Sequence, residues 1–271
     1  MNNSKLFLIL ALTGFLITSC GSKKRSVQSP KPSKQQKFEP VTEQSKVYNS
    51  VGKVQKPPRN LSQTESYIYQ YANIAKQEMK LFGIPASITL AQGILESGNG
   101  QGQLTSRSNN HFGIKCNGWR GAKVYHDDDR SQECFRKYTH AEYSYRDHSL
   151  FLFNRSRYGF LFNLKPTDYK AWARGLKKAG YATDPRYPKK LIGLIERYEL
   201  YKYDDEVIKN QDKKSSKTKN RHKPKDKYHI VQKGDTLYSI SNKYGVDLDR
   251  LKKLNDIKDN QIQIGQSLKL K

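Results

Sequence analysis

Acidic side chains are scarce in this chain of 271 residues: 25 Asp and Glu stand against 50 Lys and Arg, so the formal net charge is +25 and the pI is near 9.8. Such an excess points first to a polyanionic partner, with nucleic acid as the class to weigh. Long hydrophobic runs are lacking too. The unbroken apolar or small stretch at residues 6–18, directly after Lys5, has 13 residues. That is too short for a finished membrane-spanning helix and suits the core of a signal peptide, and an exported chain argues against nucleic acid. Cysteine is nearly absent, with three in the whole chain.

The apolar run stops at Leu16-Ile-Thr-Ser-Cys20, which resembles the lipobox of bacterial lipoproteins. The resemblance implies a signal peptide over residues 1–19 and a diacylated Cys20 as the new N-terminus, held on a membrane because two or more acyl chains anchor firmly. Gly21 is not the aspartate that retains some lipoproteins at the inner membrane, so outer-membrane attachment facing the periplasm is expected. Removing Cys20 from the count leaves Cys116 and Cys134, an even pair in a compartment that permits disulfides. Their bond is expected to contribute about 3 kcal/mol in the chain-entropy model.

Two polar tracts divide the chain. Residues 20–60 are rich in Lys, Ser, Gln and Pro without a period and suit a disordered tether. Residues 206–227 form a basic linker, in which 209–227 holds nine Lys or Arg against two Asp. Between them lies a block at 61–205, and after them one at 228–271. In the first block Ser62-Gln-Thr-Glu65 has capping-box spacing, and Ile68, Tyr71, Ala75, Met79 and Phe82 recur at helical intervals up to Gly83. Pro85 suits the first turn of a second helix, whose face is marked by Ile84, Ile88, Ala91 and Leu95. Short alternating runs at 123–126 and 133–138 predict a β hairpin, and helical patterns return at 142–153, 167–179 and 185–201. The fold class is therefore α+β: mainly helical, with one small β lobe.

Glu96 stands one step beyond the stripe residue Leu95, followed by Gly98 and Gly100, which let the chain turn away from the space above it. The carboxyl end of a helix and partial burial both disfavour the ionised form. A carboxyl kept protonated near neutral pH is a general acid, which glycosidic cleavage requires. For an isolated Glu-Ser-Gly, a solvated helix-end glutamate before a glycine cap is the simpler account.

It is not isolated. Ala91-Gln-Gly-Ile-Leu-Glu-Ser-Gly98, Asn109-Asn-His-Phe-Gly-Ile-Lys115, Trp119, Cys134-Phe-Arg-Lys-Tyr138 and Ala179-Gly-Tyr-Ala-Thr-Asp-Pro-Arg-Tyr187 occur in that order. Together they resemble the endo-β-N-acetylglucosaminidases of bacterial peptidoglycan hydrolysis, glycoside hydrolase family seventy-three, over residues 61–203. The resemblance implies a lysozyme-like fold with a cleft between its lobes and Glu96 as proton donor. It also implies Tyr181 as a substrate-lining residue, with a core tyrosine equally compatible. Asn109 and Phe112 fall in the segment under the cleft, where turn chemistry is the competing account. Arg136 is expected to buttress the β lobe.

Three positions depart from the family. Asn99 stands where an aromatic is frequent, His111 replaces a usual leucine, and the Thr-x-Glu that carries the second acid is missing, with Asp127-Asp-Asp129 nearby. Asp128 or Asp129 is the favoured water-activating carboxylate. Attack by the substrate's own acetamido group and a solvated acidic turn remain alternatives. The three carboxylates lack the spaced pattern of a calcium loop, and neither a metal nor a cofactor is expected.

In the last block, Tyr228-His-Ile-Val-Gln-Lys-Gly-Asp-Thr-Leu-Tyr-Ser-Ile240, Tyr244, Leu251, Asn255 and Ile264-Gly-Gln-Ser-Leu268 resemble a LysM domain. That implies a βααβ unit whose two loops bind N-acetylglucosamine chains, here through Gly234, Asp235, Thr236 and Leu237 in one and Ile257 and Ile262 in the other. Capping by Asp235 or Thr236 and packing by the isoleucines are the competing roles. A flexible linker would raise the local glycan concentration for the enzyme. The expectation is a monomeric, lipid-anchored peptidoglycan hydrolase whose partners are glycan strands and a membrane. Its rivals are a lytic transglycosylase, a wall-binding protein without catalysis and, distantly, a nucleic-acid binder.

Overall fold

The computed structural model describes residues 54, 56–219, 227–232, 235–258 and 260–271, with only the backbone of 212–219. The expected signal peptide, Cys20 and most of the expected tether lie outside the described residues, as does Gly234. No described helix is long and apolar enough to cross a membrane.

Helix α1 (Gln63–Phe82) starts and stops where its local chemistry requires. The Glu65 Oε2 atom accepts from the Ser62 backbone N–H at 2.9 Å while the Ser62 hydroxyl accepts from the Glu65 N–H at 3.3 Å, so two orphan donors are satisfied. Gly83 ends the helix at φ 78°. Helix α2 (Ala86–Ser97) differs from its expected one-sided stripe: every residue from Ala86 through Ile94 is buried. It is the central helix, packed against α1 and against three later ones, α5 (Tyr169–Lys178), α6 (Tyr187–Arg197) and α7 (Tyr201–Lys219). Only at Leu95 and Glu96 does it emerge.

A short helix α3 (Gln103–Ser108) leads into the β lobe, where β1 (Lys123–His126) pairs antiparallel with β2 (Glu133–Arg136), Val124 opposite Phe135. Cys116 and Cys134 are disulfide-bonded, Cα atoms 5.5 Å apart, and pack with Trp119 and Tyr138 into a small core of their own. Arg136 ties this lobe to α4 (Ala141–Phe153) through a 2.7 Å ion pair with the buried Asp147, and its guanidinium covers the Trp119 ring at 4.8 Å. A 3-10 segment (Ser156–Asn163) connects α4 to α5.

The basic linker expected at 206–227 departs from a disordered tract, because α7 runs through its first part to Lys219. Its first turns belong to the catalytic block. Val207 is buried, Glu206 pairs with Lys76 at 2.8 Å, and the buried Asp204 caps the start of α2, accepting from the Ser87 N–H at 2.9 Å and hydroxyl at 2.5 Å. These contacts nucleate a helix that charge composition alone would not favour.

In the last block β3 (Tyr228–Ile230) pairs with β4 (Ser267–Lys269) around α8 (Leu237–Tyr244) and α9 (Leu248–Leu254), giving the βααβ order. This unit does not hang free. Its Leu237, Ile240 and Leu268 belong to the same buried cluster as Phe82 and Phe153 of α1 and α4.

Candidate active site

Glu96 sits on the last turn of α2, where the chain leaves through Gly98, Asn99 and Gly100, all at positive φ (56°, 59° and 80°). Three successive left-handed residues fold the exit sharply away, and two being glycine removes most of the strain. The turn is fastened from both sides. The Gly100 N–H donates to the Ser97 hydroxyl at 2.7 Å, and the Thr64 hydroxyl of α1 donates to Asn99 Oδ1 at 3.0 Å. The departure at Asn99 thus serves a polar tie. His111, the second departure, is buried against α1 with Nδ1 2.9 Å from the Tyr67 hydroxyl, and burial lowers its pKa to about 4.

Glu96 is exposed to solvent on one side, yet protein atoms crowd its carboxyl on the others, and that crowding sets its loss of hydration. That desolvation pushes its pKa up, the nearby negative charge of Asp128 adds to the rise, and a hydrogen bond from Tyr187 and the positive charge of Lys190 oppose it. The Tyr187 hydroxyl donates to Glu96 Oε1 at 2.9 Å and accepts from Gln92 Nε2 at 3.0 Å. Gln92 lies one turn before Glu96 on the same helix, so Gln92, Tyr187 and Glu96 form a relay that fixes the carboxyl's direction.

Tyr187 is a site residue that sequence reasoning left inside a motif without a role. Its signal was the same Ala-Thr-Asp-Pro-Arg-Tyr run that drew attention to Tyr181. Tyr181 does not touch Glu96 by a hydrogen bond; its ring stacks on that of Tyr187, centroids 5.7 Å apart, and it packs partly buried against the core.

The remaining candidates divide. Phe112 is buried, stacked on His148 at 4.1 Å and edge-on to Tyr145 at 4.9 Å, so its ring packs in the core. Asn109 caps α3 in the left-handed region, and its amide donates to the carbonyls of Tyr138 and Thr139, both at 3.0 Å. Turn chemistry explains it. The acidic triplet lies beyond the end of β1, in the hairpin loop. Asp127 closes that loop by accepting from the Gln132 N–H at 2.7 Å. Asp128 and Asp129 turn toward Lys115, 3.7 and 3.4 Å from its Nζ, with Glu133 at 2.9 Å. Asp128, Asp129 and Glu133 bring carboxylate oxygens within 4.8 Å of one another, and the lysine ammonium supplies their cation. Of the triplet, Asp128 is the member whose charge acts on Glu96.

In the C-terminal block Thr236 caps α8, accepting from the Ser239 N–H at 3.0 Å, and Asp235 accepts from the Gln232 N–H at 2.8 Å and from His229 at 2.7 Å. Leu237 is wholly buried, and Ile257 and Ile262 pack partly buried against the core. Leu237 therefore serves packing and is not a surface contact. Both loops expected to hold glycan meet the first domain. The Thr236 hydroxyl donates to the Leu81 carbonyl, Asn260 Nδ2 donates to the Phe153 carbonyl at 2.7 Å, and the Tyr238 ring fills the space that a Cβ at Gly83 would need.

A mainly helical domain with one small β lobe, whose loop residue Asp128 acts on the raised carboxyl of Glu96, is the lysozyme-like α+β arrangement. Residues 72–200 match the family model described as mannosyl-glycoprotein endo-beta-N-acetylglucosaminidase, and residues 229–271 match the LysM domain model; the chain carries one domain of each family. It is 32% identical over 165 residues to exo-glucosaminidase LytG of Bacillus subtilis (strain 168), covering 56% of this chain and 57% of that protein. It is also 32% identical over 154 residues to peptidoglycan hydrolase FlgJ of Vibrio parahaemolyticus, covering 52% and 50%. Among solved structures, a peptidoglycan hydrolase from Sphingomonas sp. A1 is 30% identical with a TM-score of 0.46, covering 54% of this chain and 95% of that one. The chain spans about half the length of those two curated relatives.

Proposed function

We propose that this protein is a peptidoglycan hydrolase that cleaves the glycan strand after N-acetylglucosamine, with Glu96 as general acid. The observation that carries the reading is the raised, solvent-exposed Glu96 carboxyl, oriented by Tyr187 within a domain of the glucosaminidase family. A carboxyl whose pKa is raised holds its proton to higher pH and can give it to the bridging oxygen as the bond breaks, which is where this chemistry needs help. Asp128 is the better candidate than Asp129 for activating water, because it is the one that acts electrostatically on Glu96. It shares Lys115 with two other carboxylates, however, and attack by the substrate's acetamido group needs no such base.

The LysM domain supports a wall-binding role and an extracytoplasmic location. Lipidation of Cys20 rests on the sequence of residues 6–20, and outer-membrane attachment on Gly21 in addition. Incorporation of an alkyne-tagged palmitate into the wild type and not into Cys20→Ala tests the lipidation, and separation of inner from outer membranes tests the attachment.

Glu96→Gln keeps the shape and removes the proton. On purified sacculi it is expected to lower fragment release at least a hundredfold, in line with the usual weight of general acid catalysis, on the order of 10²–10⁴. Mass spectrometry of the released muropeptides identifies the reaction. Reducing N-acetylglucosamine ends support the hydrolase, anhydro ends transfer the assignment to a lytic transglycosylase, and equal release by both proteins leaves a binding module without catalysis.

A further inference from the structure

The row of packed aromatic rings that starts at the acid ends in positive charge that no carboxylate among the described residues pairs. From Glu96 the row runs through the buried Tyr187 to Tyr181, then to Phe151 and the buried Tyr158, whose ring centroids both lie 6.3 Å from that of Tyr181. Over these last two rings sit two arginines. The Arg155 guanidinium lies 3.8 Å from the Phe151 centroid, and that of Arg157 lies 4.7 Å from the Tyr158 centroid while donating to the Tyr158 hydroxyl at 2.6 Å.

Arg155 also feels Arg136 and Asp147, residues that join the β lobe to α4, so it stands where the two lobes face each other. Asp147 does not serve Arg155 as a counter-ion. It is occupied by the Arg136 guanidinium at 2.7 Å and the Tyr138 hydroxyl at 2.5 Å. Arg155 is half-buried, and burial together with the charge of Arg157 holds its pKa below the ordinary value. Neither Arg155 nor Arg157 has an ion pair among the described residues, whereas the buried Arg146 is paired with Glu78. Arg157 is exposed, whereas partly burying Arg155 beside this second cation is costly without an anion; stacking occupies the guanidinium faces while leaving N–H edges for a planar acceptor. Guanidinium edges match a carboxylate two bonds at a time.

We propose that Arg155 and Arg157 form a carboxylate-binding subsite at one end of the cleft, taking an acid group carried by the muramyl residues of the substrate strand. The proposal rests on the reading of a peptidoglycan strand as substrate and adds what would distinguish that strand from a neutral N-acetylglucosamine polymer. Two sources offer the same chemistry: the lactyl carboxylate freed when the peptide is stripped away, and the carboxylates of the stem peptide itself.

The test uses the full chain, its Arg155→Gln, Arg157→Gln and Arg155→Lys variants, and three substrates: soluble peptide-bearing strands, amidase-stripped strands and N-acetylglucosamine oligomers. Loss of a charge-assisted pair is expected to raise KM about tenfold on a carboxylate-bearing strand, with partial recovery in Arg155→Lys. A rise confined to peptide-bearing strands assigns the stem peptide, a rise confined to stripped strands assigns the lactyl carboxylate, and a rise on both shows that the pair takes either acid group. An equal rise on the neutral oligomers, or no rise on either muramyl substrate, overturns the proposal. If the wild type cleaves none of the three, the hydrolase reading fails separately. Strand binding measured in the Glu96→Gln background, with and without Arg155→Gln, then decides the subsite: unchanged affinity rejects it.

Discussion

Replacing Tyr187 by Phe removes one oxygen and leaves the ring stack with Tyr181 in place, so it isolates the hydroxyl's effect on the acid. That hydroxyl donates to Glu96, and donation stabilises the ionised carboxylate; its loss therefore raises the Glu96 pKa further. A hydrogen bond to a charged group is worth about 1.5–3 kcal/mol, and solvent screening at the exposed Glu96 reduces this to roughly 1 kcal/mol. Since one pH unit corresponds to about 1.4 kcal/mol, the alkaline limb of the kcat/KM profile should move upward by about 0.5–1 unit. The acid must be protonated to act, so the variant retains activity to higher pH while its plateau falls about tenfold because the carboxyl is no longer aimed. Asp128→Asn provides the opposite sign: removing that negative charge lowers the Glu96 pKa and moves the same limb downward. Steady-state rates on soluble strands between pH 4 and 9 measure both. Limbs that coincide with the wild type, or that move together in one direction, would refute the role given to Glu96.

Asp204 has a pKa raised to about 7, chiefly by burial, so stability contributed by its protonated form is fully present below the ordinary carboxyl value and is lost as pH rises to about 7; Asp204→Asn, which mimics the protonated form, should flatten the dependence of thermal stability on pH between about 4 and 7. Glu78 is fully buried and bridges Arg146 at 2.8 Å, so Glu78→Gln should cost about 3–5 kcal/mol in denaturant unfolding by leaving a buried guanidinium without its counter-charge. Tyr238→Ala should loosen the contact between the LysM unit and the end of α1, and pelleting with sacculi in the Glu96→Gln background should then show more protein bound than with Tyr238 intact.

Helix α1 was legible from cap to cap because its signals are local: Ser62 and Glu65 sit three residues apart, and Gly83 follows the last apolar contact. The hairpin strand at 123–126 and the two LysM helices were readable for the same reason. The position of Glu96 at the edge of a buried helix followed from period alone, but the extent of burial did not. A stripe of four residues looks the same whether one side of a helix is covered or all of it, and Ser87, Thr89 and Gln92 gave no sign of being interior. Tyr181 and Tyr187 illustrate the limit within the site. Both are tyrosines of one motif, and which hydroxyl meets a carboxylate 91 residues earlier depends on how α6 lies across α2.

The sequence by itself determined helix α1 with its caps, the acid at the end of α2, the pairing of Cys116 with Cys134 and the order of the two domains, but neither α3 nor the run of α7 into the basic tract. Each of the determined features rests on residues close in the chain or on simple counting. Tertiary structure alone decided that Tyr187 aims Glu96, that Lys115 balances the acidic loop, that Phe112 and Leu237 are core, and that the LysM loops lie against α1 and α4. Hydrogen bonds and ion pairs act over only a few ångströms, and segments distant in sequence come that close only where helix packing brings them together.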